Sequence, residues 1–291
     1  MPEPAPDSGS TVDLSATEQR DVEERTPPRA AVVFETVRRE GEIELDRPTL
    51  SLAASGVAAG LSMGMSLVGE GLIESMLPDA IWRPLFVSFG YTVGFVIVVL
   101  GRQQLFTENT VTAILPLLDS THKRRTFGRV ARLWAIVLAS NLVGATFFAY
   151  AIAMSNIFGP VVKATFLEIG TLAAAPSFWE IVVRGVFAGW LIALMVWLLP
   201  GADRSRLWAV IFMTYFVGLG SFAHIIAGSV EVLYLVASGH ESWGAYLARY
   251  LLPVFIGNAV GGVSLVALLN YAQVVAEGDT NGGKRSPTPG A

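Results

Sequence analysis

The second long apolar segment of this chain is interrupted at residues 104–110, where the sequence reads Gln-Leu-Phe-Thr-Glu-Asn-Thr. A second interruption, Gly-Ser-Phe-Ala-His at residues 220–224, lies inside a later apolar segment. Both segments are otherwise apolar enough to cross a bilayer. Irregular backbone at membrane depth is tolerated only where protein or water satisfies its N–H and C=O groups. Two breaks in corresponding places therefore predict a solute pathway near the middle of the membrane.

Composition indicates a membrane protein and excludes several other classes. Of the 291 residues, 53% are apolar and only 15% are charged, whereas average soluble domains have about 25% charged residues. The absence of cysteine excludes disulfide bonds. The net charge of −4 argues against a nucleic-acid partner. The apolar segments contain no nucleophile–base pair, metal cluster or cofactor motif, so we expect neither an enzyme nor a bound metal or cofactor.

Six apolar runs reach the roughly 20 residues that a helix needs to span a bilayer. The second and fifth runs are too long for one straight crossing and too interrupted for two. Each fits a half-helix, a turn and a second half-helix. The sequence therefore predicts an all-α membrane protein with six transmembrane helices, of which helices 2 and 5 are broken. The crossings are placed at residues 50–70, 85–118, 134–154, 180–199, 208–238 and 246–275.

The distribution of polar residues divides the chain into four parts. The ends are low in hydrophobicity, which is typical of disorder. After the first tail, Val and Phe alternate with Glu and Arg at helical spacing, which predicts an amphipathic helix at the membrane interface or, equally, a solvated helix. The predicted parts are a disordered cytoplasmic tail at 1–28, the amphipathic interfacial helix at 29–47, a six-helix transmembrane channel domain at 48–275 and a second disordered cytoplasmic tail at 276–291.

Basic residues predict the orientation in the membrane. Lys and Arg concentrate in the N-terminal tail, in the loops after the second and fourth crossings, and in the C-terminal tail. The opposite loops hold little more than Arg83 and Lys163. Because basic loops stay on the cytoplasmic side, both termini are expected in the cytoplasm. The chain is thus predicted to be a multi-pass protein of the plasma (inner) membrane.

Short motifs recur in order in the two halves of the membrane portion. The run Gly-Val-Ala-Ala-Gly at 56–60 in the first crossing corresponds to Gly-Val-Phe-Ala-Gly at 185–189 in the fourth. Ser-Asn-Leu-Val-Gly at 140–144 in the third crossing corresponds to Gly-Asn-Ala-Val-Gly at 257–261 in the sixth. Small residues recur in any packed transmembrane helix, but these two runs, together with the breaks that carry Phe106 and Phe222 between them, make three matches in sequence and favour a true repeat. Because each half has three crossings, an odd number, the two halves enter the membrane from opposite sides. The sequence therefore predicts a 3+3 inverted repeat with a site at the interface between the halves.

At these residues the chain resembles the formate/nitrite transporter family. Residues 105–110 match the family's Leu-Phe-Thr-x-Asn-Thr Ω-loop, and Phe222 with His224 matches its Phe-x-His motif. The Gly-Asn-x-x-Gly-Gly run from Gly257 matches its last helix, and residues 220–232 are similar to a divergent, YfdC-like branch. The resemblance covers about residues 50–275. It implies an aquaporin-like protomer, a homopentamer with one pore per protomer, and passage of small monovalent weak-acid anions such as formate or nitrite.

His224 is the candidate proton partner of the solute. Of the three histidines, His122 and His240 fall in loops, whereas His224 lies at a helix break inside the membrane, where an ionisable group suggests function. An anion entering an apolar constriction is strongly disfavoured, so a histidine that protonates or pairs with it would ease its passage. The alternative is a neutral histidine that steadies the broken helix. Thr107 of the other break is a possible partner in either case.

The resemblance assigns further residues to the pathway. Leu105, Phe106, Thr107 and Asn109 belong to the Ω-loop and its gate, and Phe216 or Val217 would complete a second constriction, although aromatic residues at such spacing are more often plain packing. Asn141 and Asn258 occupy equivalent places in the repeat, and their amides are predicted to support the broken helices. Glu231, seven residues beyond His224, would extend a proton path or simply meet water. The sequence sites predicted here are His224, Leu105, Phe106, Thr107, Asn109, Phe216, Val217, Asn141 and Asn258.

Departures from the family pattern keep other functions open. Gln104 and Glu108 stand where formate channels have glutamate and glycine, and Ala173, Gly189 and Gly228 replace polar family residues. A non-conducting membrane scaffold or sensor that retains the channel fold is therefore the alternative to transport. A neutral-solute pore of the aquaporin kind would need paired Asn-Pro-Ala motifs, which are absent from the sequence.

Overall fold

A computed structural model describes residues 14–26 and 28–282 of the chain. These residues form helices and no strand, which confirms the all-α prediction for this part of the chain. Five helices are long and apolar enough to cross a membrane: Thr49–Met76, Arg83–Leu100, Lys123–Met154, Phe178–Gly201 and Trp243–Ala276. Two shorter apolar helices, Arg206–Leu219 and Ala227–Ala237, stand where the fifth crossing is predicted.

The helices are numbered α1 to α14 in chain order. Short 3₁₀ turns at Leu199–Gly201 and Asp203–Ser205 precede α10, and π-helical segments at Tyr246–Leu251 and Val263–Leu268 continue α12 and α13. The bounds are α1 Ala16–Arg25, α2 Ala30–Asp46, α3 Thr49–Met76, α4 Arg83–Leu100, α5 Phe106–Thr112, α6 Ile114–Asp119, α7 Lys123–Met154, α8 Pro160–Ala174, α9 Phe178–Leu198, α10 Arg206–Leu219, α11 Ala227–Ala237, α12 Trp243–Ala245, α13 Leu252–Gly262 and α14 Leu269–Gly282.

The two ends of the helix bundle carry different connections. At one end, here called the terminal end, α2 contacts α6, α14 and the turn at Leu199–Gly201. At the same end Arg129 of α7 pairs with Asp46, and Arg132 donates to the backbone carbonyl of Arg47 at 3.0 Å. At the opposite end, here called the far end, Arg83 at the start of α4 pairs with Glu74 at 3.1 Å. The breaks between these ends separate α4 from α5 and α10 from α11.

Both breaks begin with the same backbone turn. After α4, Arg102 has a φ of 51° and the Gln103 N–H donates to Val98 O at 2.9 Å. After α10, Ser221 has a φ of 49° and the Phe222 N–H donates to Val217 O at 3.0 Å. This is the Schellman pattern that ends a helix on a left-handed residue. Glycine adopts that conformation most readily, so its use by arginine and serine stores local strain at both breaks.

Close backbone contact joins the helices of each half. A Cβ added to Gly60 of α3 would collide with the Asn141 carbonyl of α7, and one added to Gly144 would collide with Val57 O. In the other half, Gly189 of α9 lies against the Asn258 carbonyl of α13 in the same way. Small residues let helices approach this closely, so dispersion replaces the hydrophobic effect as the source of association in lipid.

Three segments hold helices that the sequence analysis did not name. The tail at 1–28 contains α1, whose start is capped because the Ser15 hydroxyl and the Glu18 carboxylate bond to each other's backbone N–H groups. The tail at 276–291 begins with the end of α14, at Gly282. The loop expected between the third and fourth crossings holds α8, which opens with Pro160 and buries Thr165, Phe166 and Gly170. Residues 1–13, 27 and 283–291 lie outside the described part.

The glycine contacts generate a stability prediction. Gly60→Ala should lower the thermal unfolding midpoint in detergent, because a methyl group forced against the Asn141 carbonyl costs about 1–3 kcal/mol as overpacking. Gly128→Ala is the matched control: it lies in α7 with nothing within 4 Å of an added Cβ, and alanine there should gain about 0.5–1 kcal/mol of helix propensity. Equal midpoints for the two variants would show that the α3–α7 crossing is not tight.

Candidate functional site

His224 and Thr107 meet where the two broken helices approach each other. Thr107 lies in the first turn of α5 and His224 lies just before α11; the Thr107 hydroxyl and His224 Nε2 are 2.8 Å apart. Both side chains are buried. The Phe95 ring of α4 contacts the imidazole edge to face, with ring centroids 4.9 Å apart. The contact joins the two halves of the bundle through one hydrogen bond in apolar surroundings.

Backbone contacts define which nitrogen of His224 carries the hydrogen. The N–H groups of Ile226 and Ala227 point at His224 Nδ1, at 3.3 and 3.2 Å. Because those groups can only donate, Nδ1 acts as the acceptor, and the neutral ring carries its hydrogen on Nε2. Nε2–H then donates to the Thr107 hydroxyl. The imidazole thus caps the start of α11 with one nitrogen and presents a donor with the other.

Asn141 holds the first break. Its side-chain oxygen accepts from the Phe106 N–H at 2.9 Å, and its amide nitrogen donates to the carbonyls of Gln104 and Gly56, both at 2.8 Å. One buried amide therefore satisfies both sides of the break and ties it to α3. This provides the internal partners that broken backbone at membrane depth requires.

Asn258 makes the corresponding contacts at the second break. Its oxygen accepts from the Ile225 N–H at 2.9 Å, and its nitrogen donates to the carbonyls of Ala223 at 2.8 Å and Gly185 at 2.9 Å. The two asparagines thus have the same three kinds of partner: the N–H after the break, the C=O before it, and a glycine C=O on the first helix of the half. The asparagines and glycines are those that the repeated motifs pair, whereas at the breaks the matching N–H donors are Phe106 and Ile225.

The Ω-loop residues are held in place by neighbouring side chains. The side-chain amide of Asn109 donates to the Gln104 side-chain oxygen and to the Leu105 carbonyl, each at 3.2 Å. The backbone carbonyl of Asn109 accepts a hydrogen bond from the Trp134 indole N–H at 3.1 Å. The Phe106 ring packs between Trp134 and Phe255, with centroids 5.4 and 5.6 Å away. Leu105 is fully buried. The Phe106 ring is therefore packed between α7 and α13 and does not stand free in a cavity.

A cavity of about 620 Å³ opens at the terminal end and reaches Leu105. Helix α2 forms one wall, and Arg102 of the loop pairs with Glu40 of α2 at 3.4 Å. The cavity walls carry both acidic and basic side chains, so neither sign of charge dominates the electrostatic potential in the cavity. The charged lining residues are Glu40, Glu44, Arg102, Glu108, Arg204 and Arg206.

Phe216 does not belong to the buried site. Its side chain is 42% exposed and packs on Phe212 and Tyr215 at the surface of α10, whereas Val217 is fully buried. The prediction that Phe216 contributes to a second constriction is therefore wrong, and Val217 is the residue placed on the inner side. Neighbouring residues point about 100° apart on a helix, so the rotation of α10 decided between them.

Sequence reasoning missed Phe95 at the site and Glu70, an acidic residue within α3. Phe95 contacts His224 only through tertiary packing, and no local signal in α4 marks it. Glu70 lies inside α3, and the predicted first crossing ended at residue 70 although α3 continues to Met76. An acidic residue inside an apolar transmembrane helix is by itself a signal of function. A first crossing predicted to extend to residue 76 would have placed Glu70 well inside that helix.

Comparison with known proteins gives a consistent result. The family described as Formate/nitrite transporter matches residues 31–272. Inner membrane protein YfdC of Escherichia coli (strain K12) is 40% identical over 254 residues, covering 87% of this chain and 81% of that protein. Formate channel BtFdhC of Bacillus thuringiensis is 28% identical over 253 residues, covering 82% of this chain and 93% of the channel.

Two solved structures share the fold. One, described as a pentameric formate channel with formate bound, superposes with a TM-score of 0.66 at 18% identity and covers 78% of this chain and 98% of that one. The other, described as an FNT family ion channel, has a TM-score of 0.68 at 20% identity and covers 84% of this chain and 98% of its own. At these identities the likeness concerns the fold alone.

The asparagine contacts generate a second stability prediction. Asn258→Ala should lower the thermal unfolding midpoint strongly, since it leaves the Ile225 N–H and two carbonyls without partners, at about 1–3 kcal/mol for each buried group. Asn141→Ala should have a similar effect at the other break. The matched control is Asn156→Ala in an exposed turn, which should leave the midpoint unchanged. An Asn258→Ala protein as stable as that control would contradict the bridging role.

Proposed function

This chain belongs to the formate/nitrite transporter family, and on that basis we propose that it passes small monovalent weak acids such as formate or nitrite across the inner membrane. The observation that carries the proposal is the buried Nε2–H of His224, held beside Thr107 at the meeting point of two broken helices. A donor in an otherwise apolar constriction is suited to binding one small acceptor. The relatives described as formate channels support the same class of solute.

We propose a six-crossing 3+3 inverted repeat as the architecture of the pathway. Helices α4 to α6 form the broken second crossing, and α10 with α11 forms the broken fifth. The paired contacts of Asn141 and Asn258 support this, as do the paired left-handed residues Arg102 and Ser221. Such repeats place the substrate site at the interface between the halves, where His224 lies.

The geometry of His224 favours pairing over protonation as its action on the solute. Nδ1 is engaged by two backbone N–H groups, so accepting a further proton there would release the start of α11. Nε2–H can exchange its bond to Thr107 for one to the solute without disturbing the backbone. Hydrogen bonds between neutral donors and charged acceptors contribute about 1.5–3 kcal/mol, which offsets part of the desolvation of a small anion.

The remaining features of the proposal concern assembly and orientation. We infer a homopentamer, because the structural neighbour is described as a pentameric channel. We infer that the terminal end faces the cytoplasm, since the basic loops collect there. The cavity beside Leu105 would then be the cytoplasmic entrance, with Leu105 as its gate and α2 lying along the interface.

A histidine substitution tests the function. Full-length protein in liposomes should take up labelled formate or nitrite, and His224→Ala should lower the rate by about 10- to 100-fold, the equivalent of one hydrogen bond to a charged solute. The matched control is His240→Ala, in an exposed far-end loop, which should keep wild-type uptake. Equal uptake by His224→Ala and wild type at every pH would remove His224 from the mechanism.

The same assay decides between transport and the alternative. If correctly assembled wild-type protein passes no acid from a panel of small carboxylates and nitrite, the chain is a scaffold or sensor that keeps the channel fold. Uptake of neutral solutes of similar size without acids would point to an aquaporin-like selectivity instead.

The oligomeric state is a separate prediction. Native mass spectrometry of the detergent-purified protein should give five copies per assembly. A monomer or dimer as the largest species under conditions that preserve uptake activity would contradict the pentamer without affecting the proposed solute.

A further inference from the structure

Two tyrosines of one π-helical segment differ in their hydrogen bonds. Tyr246 and Tyr250 stack with ring centroids 6.5 Å apart, and both side chains are buried. The Tyr246 hydroxyl donates to the Ser229 hydroxyl of α11 at 2.9 Å. The Tyr250 hydroxyl has no hydrogen-bond partner among residues 14–26 and 28–282. Because buried tyrosine hydroxyls usually find a partner, the exception at Tyr250 needs an explanation.

The Tyr250 hydroxyl occupies the space that a side chain at position 228 would take. A Cβ added to Gly228 would collide with that oxygen. Gly228 stands one helical turn after His224, since its N–H donates to the His224 carbonyl at 3.0 Å. Residues four apart lie on the same face of a helix. The hydroxyl therefore lies beside the face of α11 that follows His224, one turn towards the far end.

Tyr91 of α4 lies at the same level on the facing helix. Its ring packs on Phe95 with centroids 5.3 Å apart, and the Phe95 ring contacts His224. Because α4 runs from the far end towards the first break, Tyr91 lies one turn to the far-end side of that contact, as Tyr250 does. Tyr91 is buried, and in the described part of the chain its hydroxyl has no partner either. The two tyrosines are also close enough to act on each other electrostatically.

The two tyrosine oxygens remain accessible to a small solute. Within the described residues, the side-chain oxygens that are fully enclosed without a partner belong to Glu70, Gln103 and Glu108, and neither tyrosine oxygen is among them. Tyr250 also lies in the π-helical segment Tyr246–Leu251, and such segments often occur at functional sites. A phenolic hydroxyl can both donate and accept a hydrogen bond. The pair can therefore bind a small polar solute.

We propose that the Tyr250 and Tyr91 hydroxyls form a second binding position for the weak-acid solute, one turn from His224 on the far-end side. This rests on the proposed function and deepens it, because it names groups that select the solute. Formate and nitrite each carry two acceptor oxygens, so each can accept a hydrogen bond from both hydroxyls. The solute then exchanges a hydroxyl for the Nε2–H of His224 as it moves towards Thr107.

Glu231 makes a cation the competing occupant of this position. It lies three residues beyond Gly228 on α11 and is only 8% exposed. An ionised carboxylate there would repel an anion and attract a cation such as ammonium. The hydroxyls lie closer to His224 than Glu231 does along α11, and they provide the donors that an anion requires. The test therefore includes a cation.

Conservative substitutions separate solute binding from packing. Full-length protein in liposomes of phosphatidylethanolamine and phosphatidylglycerol is given labelled formate over a range of concentrations. Tyr250→Phe and Tyr91→Phe should each raise the half-saturating concentration about tenfold, as expected for one hydrogen bond to a charged solute. Neither variant loses a hydrogen bond within the described protein, so the thermal unfolding midpoint should stay unchanged.

Tyr246→Phe is the matched control, because it removes a hydroxyl that is bonded to Ser229. It should lower the unfolding midpoint by about 2–4 °C and keep the wild-type half-saturating concentration. Gly228→Ala tests the position of the Tyr250 hydroxyl, since its methyl group would displace that oxygen. It should raise the half-saturating concentration as Tyr250→Phe does, with no further rise in the double variant. Additive effects would overturn the placement of the hydroxyl over Gly228.

The outcomes distinguish this proposal from the proposed function. Wild-type half-saturation in both Tyr250→Phe and Tyr91→Phe overturns the second binding position and leaves the proposed function intact. Lower uptake that comes with a lower midpoint and an unchanged half-saturating concentration also overturns it, because the tyrosines would then support only the fold. Dependence of methylammonium uptake on the hydroxyls, with formate uptake unaffected, would overturn it in favour of a cation. If the wild type takes up no acid, the proposed function fails and the binding position with it.

Discussion

The structure depends on satisfying the backbone where two helices break inside an apolar bundle. Neither lipid nor neighbouring aliphatic side chains can accept or donate hydrogen bonds there. Asn141 of α7 and Asn258 of α13 provide those bonds, and each also binds a glycine carbonyl, on α3 and on α9 respectively. One side chain thus fixes three helices at a single point. The interrupted backbone at both breaks is stable because these amides satisfy its N–H and C=O groups.

The same constraint explains the geometry around His224. The start of α11 exposes backbone N–H groups, and the histidine ring accepts two of them. That contact leaves Nε2–H facing Thr107 across the junction. One nitrogen of the ring thereby caps the helix, and the other is the one that the proposed function assigns to the solute.

Much of this arrangement could be predicted from sequence, because its signals are local. His224, Thr107 and the two asparagines stand at breaks or in repeated motifs that a single chain reveals. Phe216 was assigned wrongly, since the choice between it and Val217 depends on the rotation of α10 against its neighbours. Helix α8 was missed because its apolar residues lie in a segment too short to resemble a crossing. Helix α1 was missed because composition suggested disorder, although Ser15 and Glu18 form a local cap.

The sequence by itself determined that this is a helical membrane protein, and it predicted two interrupted crossings and a repeated half, because hydropathy and motif spacing are properties of the linear chain. It also marked His224 as the polar group at the centre. Only the tertiary structure decided which atoms meet: that Nδ1 of His224 faces the backbone and that Phe95 covers the ring. Those relations join residues far apart in sequence, and they depend on helix rotation and approach, which no local pattern encodes.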